Sequence, residues 1–370
     1  MTASAQEAPT PAERSRPLWR RIVVWALIVF VIGAAADLLG WNIRGWFHDL
    51  WDTITTISVG SLIAAIALMA VQTSATAYAW YSILHFAYPE RTKWRDILAG
   101  YAVSVALNSI LPANLGTLVF LIMLTGLLSI SFAAVLGAYA VEKIFFTVAG
   151  AFTYLYLFLT VGGSFDISFN FVHEKPVATI CLIGGAILLI VLLVRRFWPR
   201  VVAWWQNAKE GGAILGRPGA FFGRVFLPSF VSWLSGLAVI GVFLNAYGIP
   251  VSFDTLMHVA GGNSLANVTS VTPGGVGVTQ AWNVASLSGV ASATDATAYS
   301  VAQQLVSTAW CILFALMLMI WAWGWGGGKK LVGDSYAEAK RRQEEESEKR
   351  RAKKAAKAAA KAADADQATP

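Results

Sequence analysis

Between Asp96 and Asp166 the only charged residues are the adjacent Glu142 and Lys143. So long an apolar stretch cannot form a surface that faces water. A helix needs about 20 mostly apolar residues to cross the hydrocarbon core, and lipid offers no partner to an unpaired backbone N–H or C=O. The rest of the 370-residue chain follows suit, with 56% hydrophobic and 13% charged residues, where a soluble domain carries about 25% charged. This excludes a soluble enzyme, a nucleic-acid-binding domain and a disordered chain. The expected fold is all-α: a polytopic membrane protein with about six spanning helices and two oppositely oriented re-entrant helical hairpins, forming an inverted repeat.

Spans are expected at Trp19–Leu39, Ile57–Phe86, Phe132–Thr160, Val177–Val194, Phe226–Tyr247 and Thr297–Trp325. Trp41–Trp51 and Val201–Leu215 mix Trp with charge and read as interfacial segments. The basic stretch Arg14–Arg21 before the first span resembles a signal peptide start, but an uncleaved helix fits the run better. Thirteen of the sixteen Lys and Arg outside the tail fall on alternate sides of the spans, which puts both termini in the cytoplasm of a multi-pass cell (inner) membrane protein. Parity then requires Ile97–Ile130 and Thr255–Thr294 each to enter and leave by one side. The organisation reads as a cytoplasmic segment 1–18, a transmembrane domain 19–328 with repeats at about 57–160 and 226–325, and a cytoplasmic tail 329–370. The tail holds 12 of the 28 Lys+Arg and 8 of the 21 Asp+Glu, and is expected to be solvated, partly helical and attracted to an anionic membrane surface.

Both uncharged segments are broken in the middle. The first reads Asn108-Ser-Ile-Leu-Pro112-Ala-Asn114-Leu-Gly116, the second Asn267-Val-Thr-Ser-Val-Thr272-Pro273-Gly274-Gly275-Val-Gly277. A constant offset of 161 carries Pro112 to Pro273, Gly116 to Gly277 and Glu142 to Gln303. Proline ends a helix, and irregular backbone at membrane depth must be buried in protein or line a wet cavity. Helix N-termini after the breaks would aim partial positive charge at an anionic group such as a lipid phosphate. The competing reading is a pair of packing kinks.

These stretches, with Glu142-Lys143-Ile144 and the Thr272-Pro-Gly-Gly-Val-Gly-Val278 run, resemble the flippase-like membrane family named for the transmembrane region of lysylphosphatidylglycerol synthase. The resemblance covers Trp19 to Trp325 and implies movement of lipids or lipid-linked groups between leaflets. Where the family often has charges beside the turns, this chain has Asn114 and Thr117 in the first and Thr279-Gln280 in the second. The tail is too short for the aminoacyl-transferase domain that some members carry, so lysyl transfer is not expected.

A charge at the bilayer centre costs about 2.5–3.5 kcal/mol on translocon scales, so it faces protein or a cavity. Glu142 and Lys143 point about 100° apart and are expected to need separate partners, Glu142 facing the hairpin turns and Lys143 meeting a phosphate or snorkelling. A structural charge satisfied by a neighbouring helix is the alternative. The expected substrate-binding set is Asn108, Pro112, Asn114, Gly116, Glu142, Lys143, Asn267, Thr272, Pro273, Gly274, Gly275, Gly277, Gln280, Gln303 and Gln304. No catalytic residues, metal ligands or cofactors are expected: His48, His85, His173 and His258 are scattered, and no phosphate-cradling Gly-Lys-Ser/Thr loop is present. Cys181 and Cys311 sit in apolar runs and read as inert thiols, and Asp37, Asp254 and Asp295 as helix caps. The function this favours is lipid transport, without enzymatic activity. A membrane-embedded lipid-modifying enzyme using Glu142, or a scaffold subunit using its tail, stands beside it. The partners expected are membrane lipids, not nucleic acid.

Overall fold

A computed structural model describes residues 57–111, 114–161, 195, 209–269 and 272–367. The expected spans Trp19–Leu39 and Val177–Val194, the Trp41–Trp51 segment, Asp37, Cys181, His48, His173 and Pro112 lie outside the described residues. Among those described, the fold is all-helical. In chain order the helices are α1 (Val59–Ala87), α2 (Trp94–Asn108), α3 (Leu115–Leu128), α4 (Phe132–Val161), α5 (Pro218–Ala246), α6 (Phe253–Thr269), α7 (Val278–Ser286) and α8 (Ala293–Gln367). Four of them, α1, α4, α5 and α8, are long and apolar enough to cross a membrane, and this is a multi-pass membrane protein.

Local signals explain the helix starts. The Ser58 hydroxyl accepts from the Ser61 N–H (3.1 Å), the Ser131 hydroxyl from Ala134 (3.2 Å) and the Ser292 hydroxyl from Asp295 (3.1 Å), each satisfying a donor that the first helical turn leaves open. α5 starts with Pro218 at its first position and passes through a π-turn at Phe222–Phe226 before it becomes regular. It therefore begins earlier than the expected span from Phe226.

The offset of 161 holds for the whole run of helices. It carries 59–87 onto 220–248, 94–108 onto 255–269, 115–128 onto 276–289 and 132–161 onto 293–322, so α1–α4 recur as α5–α8. The Ser131 and Ser292 caps correspond at this offset, as do Asn114 (φ 54°) and Gly275 (φ 73°), both in the left-handed region. α1 and α5 pack against each other more extensively than any other pair. Their direction follows from two contacts: Thr76 Oγ1 lies 2.7 Å from Ser232 Oγ, and a Cβ at Gly236 would lie 2.9 Å from Gln72 Nε2. Moving up one helix moves down the other, so these equivalent helices run antiparallel. The swap is reciprocal, since α2 packs on α8 and α6 on α4.

Three apolar clusters hold the bundle. Trp80, Phe120 and Leu124 join α1 to α3; Met69, Phe243 and Tyr299 join α1, α5 and α8; Ala102, Val103 and Ala106 let α2 approach Ala315 and Met319 of α8. Small residues at the last seam allow the close approach that dispersion requires where lipid tails compete equally for apolar surface.

Of the segment expected at the interface, residues 209–215 are described: Ala213 opens a 3-10 turn, Ala213–Gly216, and Ile214 is fully buried. The tail, expected to be solvated and partly helical, is part of α8. α8 turns at Gly324 (φ 68°) and continues as helix to Gln367. Leu331, Ser335, Ala339 and Arg342, spaced three or four apart, share one face. Ser335 and Ala339 are buried, and the Arg342 guanidinium lies 4.7 Å from the Phe132 ring centre.

Candidate functional site

α2 and α3 form one hairpin, α6 and α7 the other. In the first, Asn108 ties the arms together: its Oδ1 accepts from the Thr117 N–H (3.1 Å) and its Nδ2 donates to Thr117 Oγ1 (2.9 Å). Gly116 sits against this knot. A Cβ there would lie 2.7 Å from both the N and Oδ1 of Asn108 and would strike the Ser104 carbonyl. In the second hairpin, Thr272 Oγ1 donates to the Val276 carbonyl (2.8 Å) and Gln280 Oε1 accepts from the Gly277 N–H (2.7 Å). Gln280 Nε2 donates to Gln304 Oε1, and Gln304 Nε2 donates to the Gly274 carbonyl (2.6 Å). The two turns meet. Gly274 (φ 61°) packs so close to Ser109 that a Cβ would run into the Ser109 carbonyl.

These bonds change one expectation. The N–H of Thr117 and that of Gly277, at the helix starts expected to receive an anion, are already held by Asn108 and Gln280. At each helix start a side-chain amide, from across the turn for Asn108 and from the helix itself for Gln280, thus takes one N–H that an anion could otherwise have used.

A cavity of about 470 Å³ opens where α1 and α5 cross. Gln72, Thr73 and Thr76 of α1 face it, with Ser232 from α5 and Tyr101 from α2. Asn263 and Ser264 of α6 and Gln303 and Ser307 of α8 line the opposite side. Among its lining residues, Glu142 and Lys143 are the only charged ones. Glu142 is 0% exposed, and its Oε2 lies 3.1 Å from Lys143 Nζ. That corrects the expectation of separate partners: the flexible four-carbon stem of lysine spans the angle between neighbouring helix positions. The ammonium, on a side chain that is 44% exposed, also lies 5.3 Å from the Tyr139 ring centre and 5.2 Å from that of Phe146, where ring quadrupoles add attraction. Glu142 does not face the turns. It lines the larger cavity, as does Gln303, its counterpart in the repeat.

The turns border a second cavity of about 300 Å³, lined in part by Ser109, Gly274, Asn267 and Gln304. Asn263, Gln303, Ser307 and Cys311 belong to both linings, so the cavities adjoin. Asn114, in contrast, is exposed and lines neither. Asn108, Gly116, Thr272, Gly275, Gly277 and Gln280 shape the turns without lining either cavity. Pro273 opens the short 3-10 turn Pro273–Gly275.

Several lining residues were not anticipated: Gln72, Thr73, Thr76, Tyr101, Ser232, Asn263, Ser264, Asn283, Ser300 and Ser307. A signal was present. Gln72 and Thr76, Asn263 and Asn267, and Ser300, Gln304 and Ser307 stand three or four apart, which puts each set on one face of an otherwise apolar helix. Among the described residues, no group of three or more His, Cys, Asp or Glu is arranged to hold a metal.

No curated protein and no solved structure matches this chain. One protein family does: residues 21–315, well over half of the chain, match the model described as the lysylphosphatidylglycerol synthase TM region. The chain belongs to that family.

Proposed function

We propose that this protein moves lipids between leaflets, taking the headgroup through the joined cavities while the acyl tails stay in the bilayer. The observation that carries this reading is the polar cavity at the crossing of two antiparallel, sequence-equivalent helices, walled by two broken hairpins whose turns touch. Inverted repeats with discontinuous helices and a central polar site suit alternating access, since either half can rock against the other. On this reading the hairpins are re-entrant, one from each leaflet. Glu142 and Lys143 tune headgroup affinity or carry a coupling proton.

We further infer an inner-membrane protein with both termini in the cytoplasm. Arg91 donates to the Ser129 carbonyl (3.0 Å), Arg217 lies over Phe86 (5.4 Å) and Arg342 over Phe132 (4.7 Å). These contacts gather basic residues around the α1 C-terminus and the α4 N-terminus, as the positive-inside rule asks of a cytoplasmic end.

The test is transfer of fluorescent phospholipid and glycolipid between leaflets in proteoliposomes. The purified chain is expected to speed transfer of at least one class, with Glu142→Gln slowing it. Rates equal to those of empty vesicles for every class would refute the proposal. The buried carboxylate of Glu142 favours a second reading, a lipid-modifying enzyme with Glu142 as acid or base. A lipid species lost on deletion, and restored by wild type but not by Glu142→Gln, would select it.

A further inference from the structure

The two cavities differ in chemistry. The larger carries Met69, Phe146, Leu237 and Ile240 beside its polar groups and the Glu142–Lys143 pair. Around the smaller, every lining residue is Asn, Gln, Ser, Thr, Gly or Cys, with no charged, aliphatic or aromatic side chain among them. Its most buried polar residues are Asn283 and Ser300, each 1% exposed. Nδ2 of Asn283 donates to Ser300 Oγ (2.8 Å), and its Oδ1 is buried without a hydrogen-bond partner. A buried acceptor left unmatched costs about 1–3 kcal/mol, so Asn283 is a group waiting for a donor.

We propose that the smaller cavity is a subsite for an uncharged, hydroxyl-rich part of the transported headgroup, a glycosyl or glycerol moiety. This rests on the translocation reading above. An anion needs donors and a cation needs acceptors, each with compensating charge when water is removed. This wall supplies no charge, and its amides and hydroxyls both donate and accept, which complements groups that do the same. Asn283, whose Oδ1 takes no hydrogen bond, lines this cavity with Gln303 and Thr279, and these are the side chains that would meet the hydroxyls. About 300 Å³ holds roughly ten water volumes, space for one hexose-sized group. The shared lining with the larger cavity lets the charged or acyl-linked part of the same lipid sit toward Glu142 and Lys143.

The experiment is native mass spectrometry of the full chain in detergent with equal amounts of dihexosyl diacylglycerol, phosphatidylglycerol and phosphatidylethanolamine. One matched hydrogen bond is worth about a factor of ten in retention. The dihexosyl lipid is therefore expected to be held at least about tenfold better than phosphatidylethanolamine, and Asn283→Leu to erase the difference. Thr279→Val, at a half-buried position, should reduce it in case the leucine variant does not fold. Phosphatidylglycerol held as well as the glycolipid assigns the subsite to adjacent hydroxyls from either source. Phosphatidylethanolamine held equally well, or a preference untouched by both variants, overturns the proposal. A chain that shows the preference yet moves no lipid in proteoliposomes refutes transport and leaves the subsite; one that moves all three lipids without preference does the reverse.

Discussion

Replacing Gly116 with alanine adds one methyl group at the tightest point of the first hairpin. Gly116 is a regular helical position, so the change does not strain φ; its effect comes from contact alone. The methyl group would lie 2.7 Å from two atoms of Asn108 and would meet the Ser104 carbonyl, a backbone atom that cannot swing aside. α3 must move away from α2, and the first bonds to stretch are the two between Asn108 and Thr117. Overpacking costs about 1–3 kcal/mol and each of the two weakened hydrogen bonds about 1 kcal/mol, so the expected loss is about 3–5 kcal/mol. Gly126→Ala on the same helix is the internal control. A Cβ there meets nothing within 4 Å, and alanine gains up to about 1 kcal/mol of helix propensity. Thermal unfolding in detergent, followed by tryptophan emission, should show Gly116→Ala melting well below wild type and Gly126→Ala at or above it. Equal melting of the two variants would refute the close hairpin knotted by Asn108.

Gln304→Leu removes both the bond to the Gly274 carbonyl and the one from Gln280; a loss of about 1–3 kcal/mol and faster hydrogen exchange at residues 272–277 should follow. Glu142→Leu should leave Lys143 as the one charge on the larger cavity, lowering lipid transfer without unfolding the chain. A transfer rate unchanged from wild type would remove the pair from the mechanism. In a Cys181→Ser background, a small methanethiosulfonate should modify Cys311, which borders both cavities, and complete inertness would mean that neither cavity admits solutes. The Glu338 carboxylate in the tail is held below its usual range by the hydrogen bond to Arg342, with Arg341 adding to it. Its contribution is thus present above the ordinary carboxylate pKa and lost as pH falls through the depressed value. Residues 338–342 should become more protease-sensitive there, and a profile flat through the acid range would count against the ion pairs.

Much of this architecture is legible in the chain itself. Long uncharged runs permit only helices, because hydrocarbon satisfies no backbone group. The breaks at 108–116 and 267–277, and the offset relating them, are visible as Pro, Gly and Asn in otherwise apolar sequence. Glu142 and Lys143 stand out because so little charge surrounds them. The larger share of the cavity lining was less legible. Thr76, Ser232 and Ser300 are small hydroxyl residues that a membrane helix tolerates on any face, so their identity alone does not say which way they look.

Sequence by itself therefore determined the fold class, the two hairpin breaks, the repeat and the residues too costly to leave in lipid. Tertiary structure alone decided that the two turns touch, that Lys143 folds back onto Glu142, and that Asn108 and Gln280 occupy helix starts expected to take an anion. The physical reason is the range of each effect. Backbone satisfaction and hydrophobic length are local and are written residue by residue. Cavity shape and the meeting of the two turns instead depend on where a helix 161 positions away comes to rest, and even a short-range pairing such as Lys143–Glu142 turns on the side-chain conformation that the surrounding packing selects.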